Sequence, residues 1–260
     1  MGKSLIKCGK GGQLTIFIIV AILIVSAIAI IVYVGLPSPK DEVNWQTNPK
    51  GAVEKCIKDS LNSAVPLILL QGGLKSPTKY LLFNSTKVEY ACYTAQNKEL
   101  CVISSPLIKR QIESELEADT KDKTESCFYV LKNNFKNSEV KMGATDYQVS
   151  ISPGIITGTV KKEITITQNA DVLKFTQFEY SGPSPIFEML LLSNDILTRE
   201  TTCNCGVDVC SGDVVELSRM NTNYELELFV TGRNEKIYTI RDTLTKLEFN
   251  FAVRNCVRLP

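Results

Sequence analysis

A long uncharged stretch near the N-terminus constrains the fold of this chain more than any other feature. No residue from Gly11 to Pro39 carries a charge, and Leu14 to Val34 consists almost entirely of Ile, Val, Leu, Ala and Phe. A helix from Leu14 to Val34 is roughly 30 Å long, which matches the hydrocarbon thickness of a membrane. Because the stretch is apolar on every side, it predicts a transmembrane helix over 13–35 and not an amphipathic soluble helix.

Three lysines on the N-terminal side of this stretch predict its orientation. Lys3, Lys7 and Lys10 all precede the apolar residues, and positive charge beside a span tends to stay in the cytoplasm. We therefore expect a single-pass cell membrane protein in contact with membrane lipid, with a cytoplasmic N-terminus and an extracellular C-terminal domain. A cleaved secretory signal is the alternative, but its apolar core is only about 7–15 residues long.

The sequence predicts four segments. Residues 1–12 form a basic leader, 13–35 the transmembrane helix, 36–48 a stalk that prolines interrupt, and 49–260 one extracytoplasmic domain. Without the three leader lysines, the chain's 29 basic residues fall to 26, against 28 acidic residues. This balance does not support nucleic-acid binding.

Two amphipathic helices are predicted in the first half of the domain. Asn48 followed by Pro49 is typical of a helix start, and apolar residues then recur at helical spacing up to Pro66, where we expect a kink or an end. A second helix begins after Ser105-Pro106. Its polar residues 118–124 suggest a division into two parts.

Strands are predicted in the second half of the domain. Apolar and polar residues alternate between Tyr147 and Phe175 and again between Tyr224 and Val253, with an apolar helix over Ile186 to Thr198. The predicted fold class is therefore α+β: an N-terminal transmembrane helix followed by an extracytoplasmic domain with amphipathic helices and an antiparallel sheet.

Eight cysteines follow the apolar stretch, and an even number in an exported domain predicts disulfides, although 105 pairings are open. The disulfide candidates are Cys56, Cys92, Cys101, Cys127, Cys203, Cys205, Cys210 and Cys256. The close spacing of Cys203, Cys205 and Cys210 leaves a zinc site as the alternative, with three of the four ligands such a site needs.

The absence of histidine limits the chemistry that this chain can perform. It excludes Ser-His and Cys-His nucleophile pairs and His-based zinc hydrolase sites. Ser76 and Lys79 have the spacing of serine-lysine acylases, but neither of the further motifs of those enzymes follows, so we interpret the match as chance.

Two sets of acidic residues are candidates for a functional site. Glu225 and Glu227 alternate with apolar residues and are interpreted as the solvated side of a strand, not as paired glycosidase carboxylates. Glu113, Glu115 and Glu117 are interpreted as a solvated helix surface. The sequence thus predicts no catalytic residue, no cofactor and no metal, and a protein that is not an enzyme.

Asn84-Ser85-Thr86 matches the acceptor triplet for N-glycosylation. It follows the apolar residues Tyr80 to Phe83, so we expect it in an exposed turn. Asn84 is therefore a glycosylation candidate.

The leader supplies a resemblance to a known family. Lys10-Gly11-Gly12-Gln13, followed by the apolar helix, resembles the class III signal peptides of archaeal type IV pilin-like proteins. The resemblance implies cleavage by a prepilin peptidase between Gly12 and Gln13, and other pilin-like or surface proteins as partners. The family commonly has glutamate at the fifth mature position, where this chain has Phe17, so the resemblance favours processing over filament assembly.

The resemblance covers about the first 35 residues, and the remainder resembles uncharacterised surface proteins of small-genome archaea. We therefore expect a pilin-like, membrane-anchored surface protein that acts by protein-protein contact, either as a filament subunit or as a displayed adhesin-like domain. The alternatives are an anchored extracytoplasmic enzyme and a ligand-binding module. A concave site in the folded domain would favour the ligand-binding module.

Overall fold

The computed structural model describes residues 19–26, 44–96, 98–168, 171–202, 205, 222–231 and 235–256. The chain divides by its internal contacts into Met1–Glu42 and Val43–Pro260, and every element named below belongs to the second unit. Its helices are α1 (Pro49–Leu70), α2 (Ile108–Asn134) and α3 (Ile186–Thr202). Its strands are β1 (Tyr80–Phe83), β2 (Thr86–Tyr93), β3 (Val102–Ile103), β4 (Glu139–Met142), β5 (Asp146–Ser152), β6 (Ile155–Gln168), β7 (Asp171–Pro183), β8 (Tyr224–Val230), β9 (Glu235–Asp242) and β10 (Glu248–Arg254).

The α+β class of the domain is as predicted, but the transmembrane part of the predicted fold is wrong. Within the predicted span 13–35, the structure describes residues 19–26, and these are helical. No helix in the described parts of the chain is long and apolar enough to cross a membrane. The predicted cleavage pair, Gly12 and Gln13, lies outside the described residues.

Helix α1 begins at its predicted cap and lies close to strand β6. The side-chain oxygen of Asn48 accepts a hydrogen bond from the Gly51 amide at 3.0 Å, which satisfies one free donor of the first turn. On the buried face, a β-carbon at Gly158 would lie 2.8 Å from Ile57 Cγ2 and 3.0 Å from Leu61 Cδ1. Glycine at this position of β6 therefore allows the close approach of α1.

Two predicted interruptions do not end the helices. Pro66 lies inside α1, which continues for another four residues, and α2 is continuous through the polar residues 118–124. In that polar stretch Thr120 is fully buried, and its hydroxyl bonds to the Leu116 carbonyl at 2.6 Å and to the Tyr147 hydroxyl at 2.9 Å. Because the Thr120 hydroxyl has these two partners, α2 holds a buried polar side chain at this position without an interruption.

The strands form two sheets. The first sheet has six strands in the order β1-β2-β10-β9-β8, with β3 on β2, and the second has four, in the order β4-β6-β5, with β7 on β6. The second sheet is antiparallel throughout, as predicted. In the first sheet, β2 and β10 are parallel, which corrects the expectation of purely antiparallel pairing. Such a pair requires a long crossover, and here α2, α3 and β3–β9 all lie between the two strands.

One hydrophobic core joins the helices to both sheets. Helix α1 contacts α2, β7 and β10, while α2 contacts β5. Phe128 of α2 meets Phe178 of β7 edge-on, with 5.5 Å between ring centroids, and Phe249 and Phe251 of β10 are fully buried in the same core. The edge-on arrangement is one that aromatic pairs prefer.

The acidic row on α2 caps backbone amides. Glu117 accepts from the Val149 amide at 2.9 Å, and Glu113 accepts from the Ile151 amide at 2.8 Å. Glu115 accepts from the Lys75 amide at 2.9 Å. The interpretation of these residues as a solvated surface was therefore wrong, because two of them cover the free edge of β5.

Within the described residues, three disulfides confirm the predicted pairing for six of the eight candidate cysteines. Each has a Cα–Cα distance within the usual range: Cys56–Cys127 at 6.3 Å, Cys92–Cys101 at 5.4 Å and Cys205–Cys256 at 5.0 Å. The first joins α1 to α2, and the third joins the chain after α3 to the end of β10. Cys203 and Cys210 lie outside the described residues.

We predict that Glu117→Ala lowers the free energy of unfolding by about 1–3 kcal/mol, because the Val149 amide loses its acceptor. Hydrogen exchange of the Val149 backbone amide should also become faster in this variant. Asp122→Ala, at an exposed position of the same helix, is the matched control and should have little effect on either measurement. Equal losses in the two variants would contradict the capping role.

We predict that Cys56→Ala with Cys127→Ala costs about 4 kcal/mol of stability, and Cys92→Ala with Cys101→Ala about 3 kcal/mol. The difference follows from the sequence separations of 71 and 9 that the two disulfides span. Urea denaturation of each variant, with and without reductant, measures both losses. A wild-type protein whose stability is insensitive to reductant would rule out this contribution.

Candidate functional site

The serine-lysine pair of the sequence does not form a site. Ser76 and Lys79 are both exposed, and the Lys79 ammonium lies over the Tyr93 ring at 4.8 Å from its centroid. A cation in that position interacts with the ring face. The lysine is therefore engaged away from the serine that it would have to activate.

The paired glutamates of β8 face solvent, as predicted. Glu225 and Glu227 each lie 3.2 Å from Arg241, whose Nε also donates to Glu248 at 2.8 Å. The hydrogen bonds that Arg241 donates to Glu248 and then to Glu225 raise the pKa of its guanidinium above its ordinary value. These carboxylates serve a surface ion-pair network and do not face each other across a cleft.

The zinc alternative for Cys203, Cys205 and Cys210 loses one of its ligands, because the Cys205 sulfur is bonded to Cys256. Elsewhere in the described chain, no group of three or more Cys, Asp or Glu is arranged to hold a metal ion.

A buried charged network lies where α3 meets the first sheet. Glu200, which is 2% exposed, accepts hydrogen bonds from Lys236 at 2.6 Å and from the Tyr238 hydroxyl. Asn255 donates to both the carbonyl and the carboxylate of Glu200, and it accepts from the Cys101 amide at 2.9 Å. A ligand cannot reach groups this deeply buried, so the network fixes α3 against the sheet.

A polar cleft of about 500 Å³ opens where α2 ends. Its lining comes from three segments of the chain: Gln46, the turn 133–138 and Gln168. The pairing of Glu139 with Thr167 brings the end of this turn beside the end of β6. Helix α2 and the second sheet together therefore position the cleft.

A local turn positions Gln46 at the cleft. The Asn44 side-chain oxygen accepts from the Gln46 amide at 2.9 Å and from the Thr47 amide at 3.3 Å, an Asx turn. Across the cleft, the Gln46 side chain donates to the Asn134 carbonyl at 3.1 Å, one of the carbonyls left free at the helix end. The turn is thereby joined to the C-terminus of α2.

Carboxamides dominate the cleft. Five of its eight lining residues carry one: Gln46, Asn133, Asn134, Asn137 and Gln168. In the described structure the side chains of Asn133 and Asn137 are exposed and have no hydrogen-bond partner, while Asn134 donates to the Val130 carbonyl at 2.8 Å.

The chemistry of the cleft is that of a neutral hydrogen-bonding site. Each carboxamide offers two N–H donors and an oxygen acceptor, so one side chain can both donate to and accept from a ligand hydroxyl. Lys136 is the one charged residue among the described lining, and Phe135 is buried in its wall.

Sequence reasoning missed this cleft. The run from Asn133 to Ser138, with three asparagines in six residues, was the available signal. Gln46 and Gln168 could not be added to it, because they are distant in sequence and meet the turn only through tertiary packing.

We predict that stability falls above about pH 10, where unfolded tyrosines ionise. Burial, and then the Glu200 charge and hydrogen bond, raise the pKa of Tyr238. Its contribution is therefore fully present below the unfolded pKa and is lost as pH rises towards the folded pKa. Tyr238→Phe should make the decline shallower by about 1.4 kcal/mol per pH unit.

Urea denaturation at several alkaline pH values measures this slope. Tyr129→Phe is the control, because Tyr129 is 67% exposed and its replacement should leave the slope unchanged. Identical slopes in wild type and Tyr238→Phe would contradict the role of Tyr238.

The chain matches no protein family model, no curated protein and no solved structure.

Proposed function

We propose that this chain is an exported, disulfide-framed recognition domain that acts by contact, as an adhesin-like domain displayed at the cell surface. Its carboxamide-lined cleft binds a neutral, hydroxyl-rich ligand such as a saccharide. The cleft is the observation that carries the proposal, since it is a concave site with several hydrogen-bonding groups directed to one space.

The disulfides support export. They form and persist in oxidising compartments, and three of them cross-link the described domain. A domain that meets extracellular partners gains from such cross-links, because they restrict the unfolded chain without relying on a bound cofactor.

The lining supports a saccharide over a charged ligand. Sugar hydroxyls both donate and accept, which matches the dual capacity of the side chains of Asn133, Asn137 and Gln168. A phosphate or carboxylate ligand would favour paired guanidinium or ammonium groups, and the described lining contributes only the ammonium of Lys136.

Binding is favoured over catalysis because the side chains that the sequence offers as reactive groups interact with other residues. Lys79 lies over Tyr93, and Glu225 and Glu227 are paired with Arg241. The displayed-domain version of contact is favoured over the filament version, because Phe17 stands at the fifth mature position, where the pilin-like family commonly has glutamate. Processing by a prepilin peptidase stays a prediction.

We predict that the purified full chain binds a subset of neutral glycans on an array and that Asn137→Ala weakens this binding about fivefold. The loss corresponds to about 1 kcal/mol for one hydrogen bond. Asn133→Ala should act similarly, because its side chain is also exposed in the lining. Isothermal titration with the best glycan measures the change.

Gln148→Ala is the matched control, since Gln148 is exposed on β5 and is not part of the lining. The affinity for a neutral glycan should change little between about 0.05 M and 0.5 M salt, because no ion pair is screened. An array without any bound glycan, or binding that the two asparagine variants leave intact, would overturn the proposal.

A further inference from the structure

The candidate glycosylation triplet lies at the tip of a β-hairpin. Strands β1 and β2 pair from Tyr80 to Phe83 and from Thr86 to Glu89, so that only Asn84 and Ser85 form the loop. Both loop residues have positive φ, 46° and 65°, as in the type I′ turns that favour asparagine. Asn84 and Ser85 are exposed, which leaves the asparagine amide open to solvent.

An exposed aromatic pair adjoins this tip. Phe83, next to Asn84 in the chain, contacts Phe229 of β8 with 5.4 Å between ring centroids. Phe229 is 51% exposed and Val230 is 45% exposed. The hairpin thus ends on an apolar surface that the described protein does not fully cover.

The strands beneath explain why the pair lies there. Val88, Tyr90, Ile237 and Ala252 form a second, smaller core on the first sheet, and Phe83 packs against it. The contact between Phe83 and Phe229 joins β1 and β8, the two ends of the strand order.

We propose that Asn84 carries an N-linked glycan whose first sugars cover the Phe83–Phe229 pair. The hydroxyl of Thr86 completes the acceptor triplet, and its strand position is two residues beyond Asn84. Sugar rings have apolar C–H faces that pack on aromatic rings, and coverage of these rings removes apolar surface from water. The glycan is thus the occupant of this surface.

The modification is a substitution at the anomeric carbon of a lipid-phosphate-linked oligosaccharide. The Asn84 side-chain nitrogen forms a bond to that carbon and loses a proton, while the carbon-oxygen bond to the lipid phosphate breaks and the phosphate leaves. No atom changes oxidation state in this substitution. The proposal rests on the export part of the proposed function, because the transferase and its lipid donor act outside the cytoplasm.

Mass analysis of the full-length protein from its native envelope tests the proposal. We expect the peptide that contains Asn84 to carry a hexose or N-acetylhexosamine mass, and an amidase that cleaves N-glycans to convert the asparagine to aspartate. In a native protein with intact disulfides, an unmodified Asn84 overturns the proposal. Reduced cysteines together with an unmodified Asn84 would overturn export itself, and glycan-array binding by the cleft is measured separately.

Variants expressed in a glycosylating host distinguish an acceptor from a turn former. Thr86→Val keeps a β-branched strand residue and Asn84→Asp keeps a residue that tolerates positive φ, so both should fold and both should lose the whole glycan mass. Thr86→Ser should retain it. Glycan that persists in Thr86→Val overturns the role of the triplet.

Thermal stability tests the proposed contact between the glycan and the Phe83–Phe229 pair. The glycosylated wild type should have a higher Tm than its enzymatically deglycosylated form, and Phe229→Ala should abolish this difference while it leaves occupancy unchanged. A Tm difference of equal size in Phe229→Ala would overturn the coverage of the Phe83–Phe229 pair.

Discussion

The packing of α1 against α2 is the contact on which the rest of the described domain depends. Cys56–Cys127 fixes the two helices to each other across a sequence separation of 71, the longest of the three described cross-links. From this pair, α1 reaches β7 and β10, in different sheets, and α2 reaches β5. Each sheet therefore has its inner face covered by a helix whose position is held covalently, and the aromatic core forms between them.

The buried polar groups around Glu200 add specificity to this apolar packing, because each of them has a defined partner. Glu200 requires Lys236, Tyr238 and Asn255 together, since removal of one partner from a buried ion pair leaves an uncompensated charge. Asn255 also binds the amide of Cys101, so the end of β10, the end of α3 and the Cys92–Cys101 loop are held in a single arrangement. Other placements of α3 would leave these groups unpaired.

Local patterns in the sequence predicted the elements that depend on local physics. Asn48 caps α1 as expected, and the period of two gave the strands of the second sheet. Contacts between distant segments were not predictable: Glu117 has the sequence context of a solvated helix residue, and only the position of β5 gives it the Val149 amide. The cleft was not predictable from the sequence for the same reason, because Asn133 and Gln168 become neighbours only when β4 pairs with β6. The three disulfide pairings likewise needed three-dimensional proximity.

The edges of the second sheet bear on how the domain meets its partners. The carboxylates of α2 occupy amides along β5, so that edge has little capacity to accept another strand. On the opposite edge, β7 exposes Lys174 and Glu179 and ends at Pro183. The register of its pairing with β6 shifts between Lys161 and Ile164 of β6. Charges, proline and bulges are the devices by which edge strands avoid pairing with other chains. Protection along β5 and β7 favours contact through side chains in a cleft over strand addition, and this is the mode of contact that we propose for the carboxamide-lined cleft.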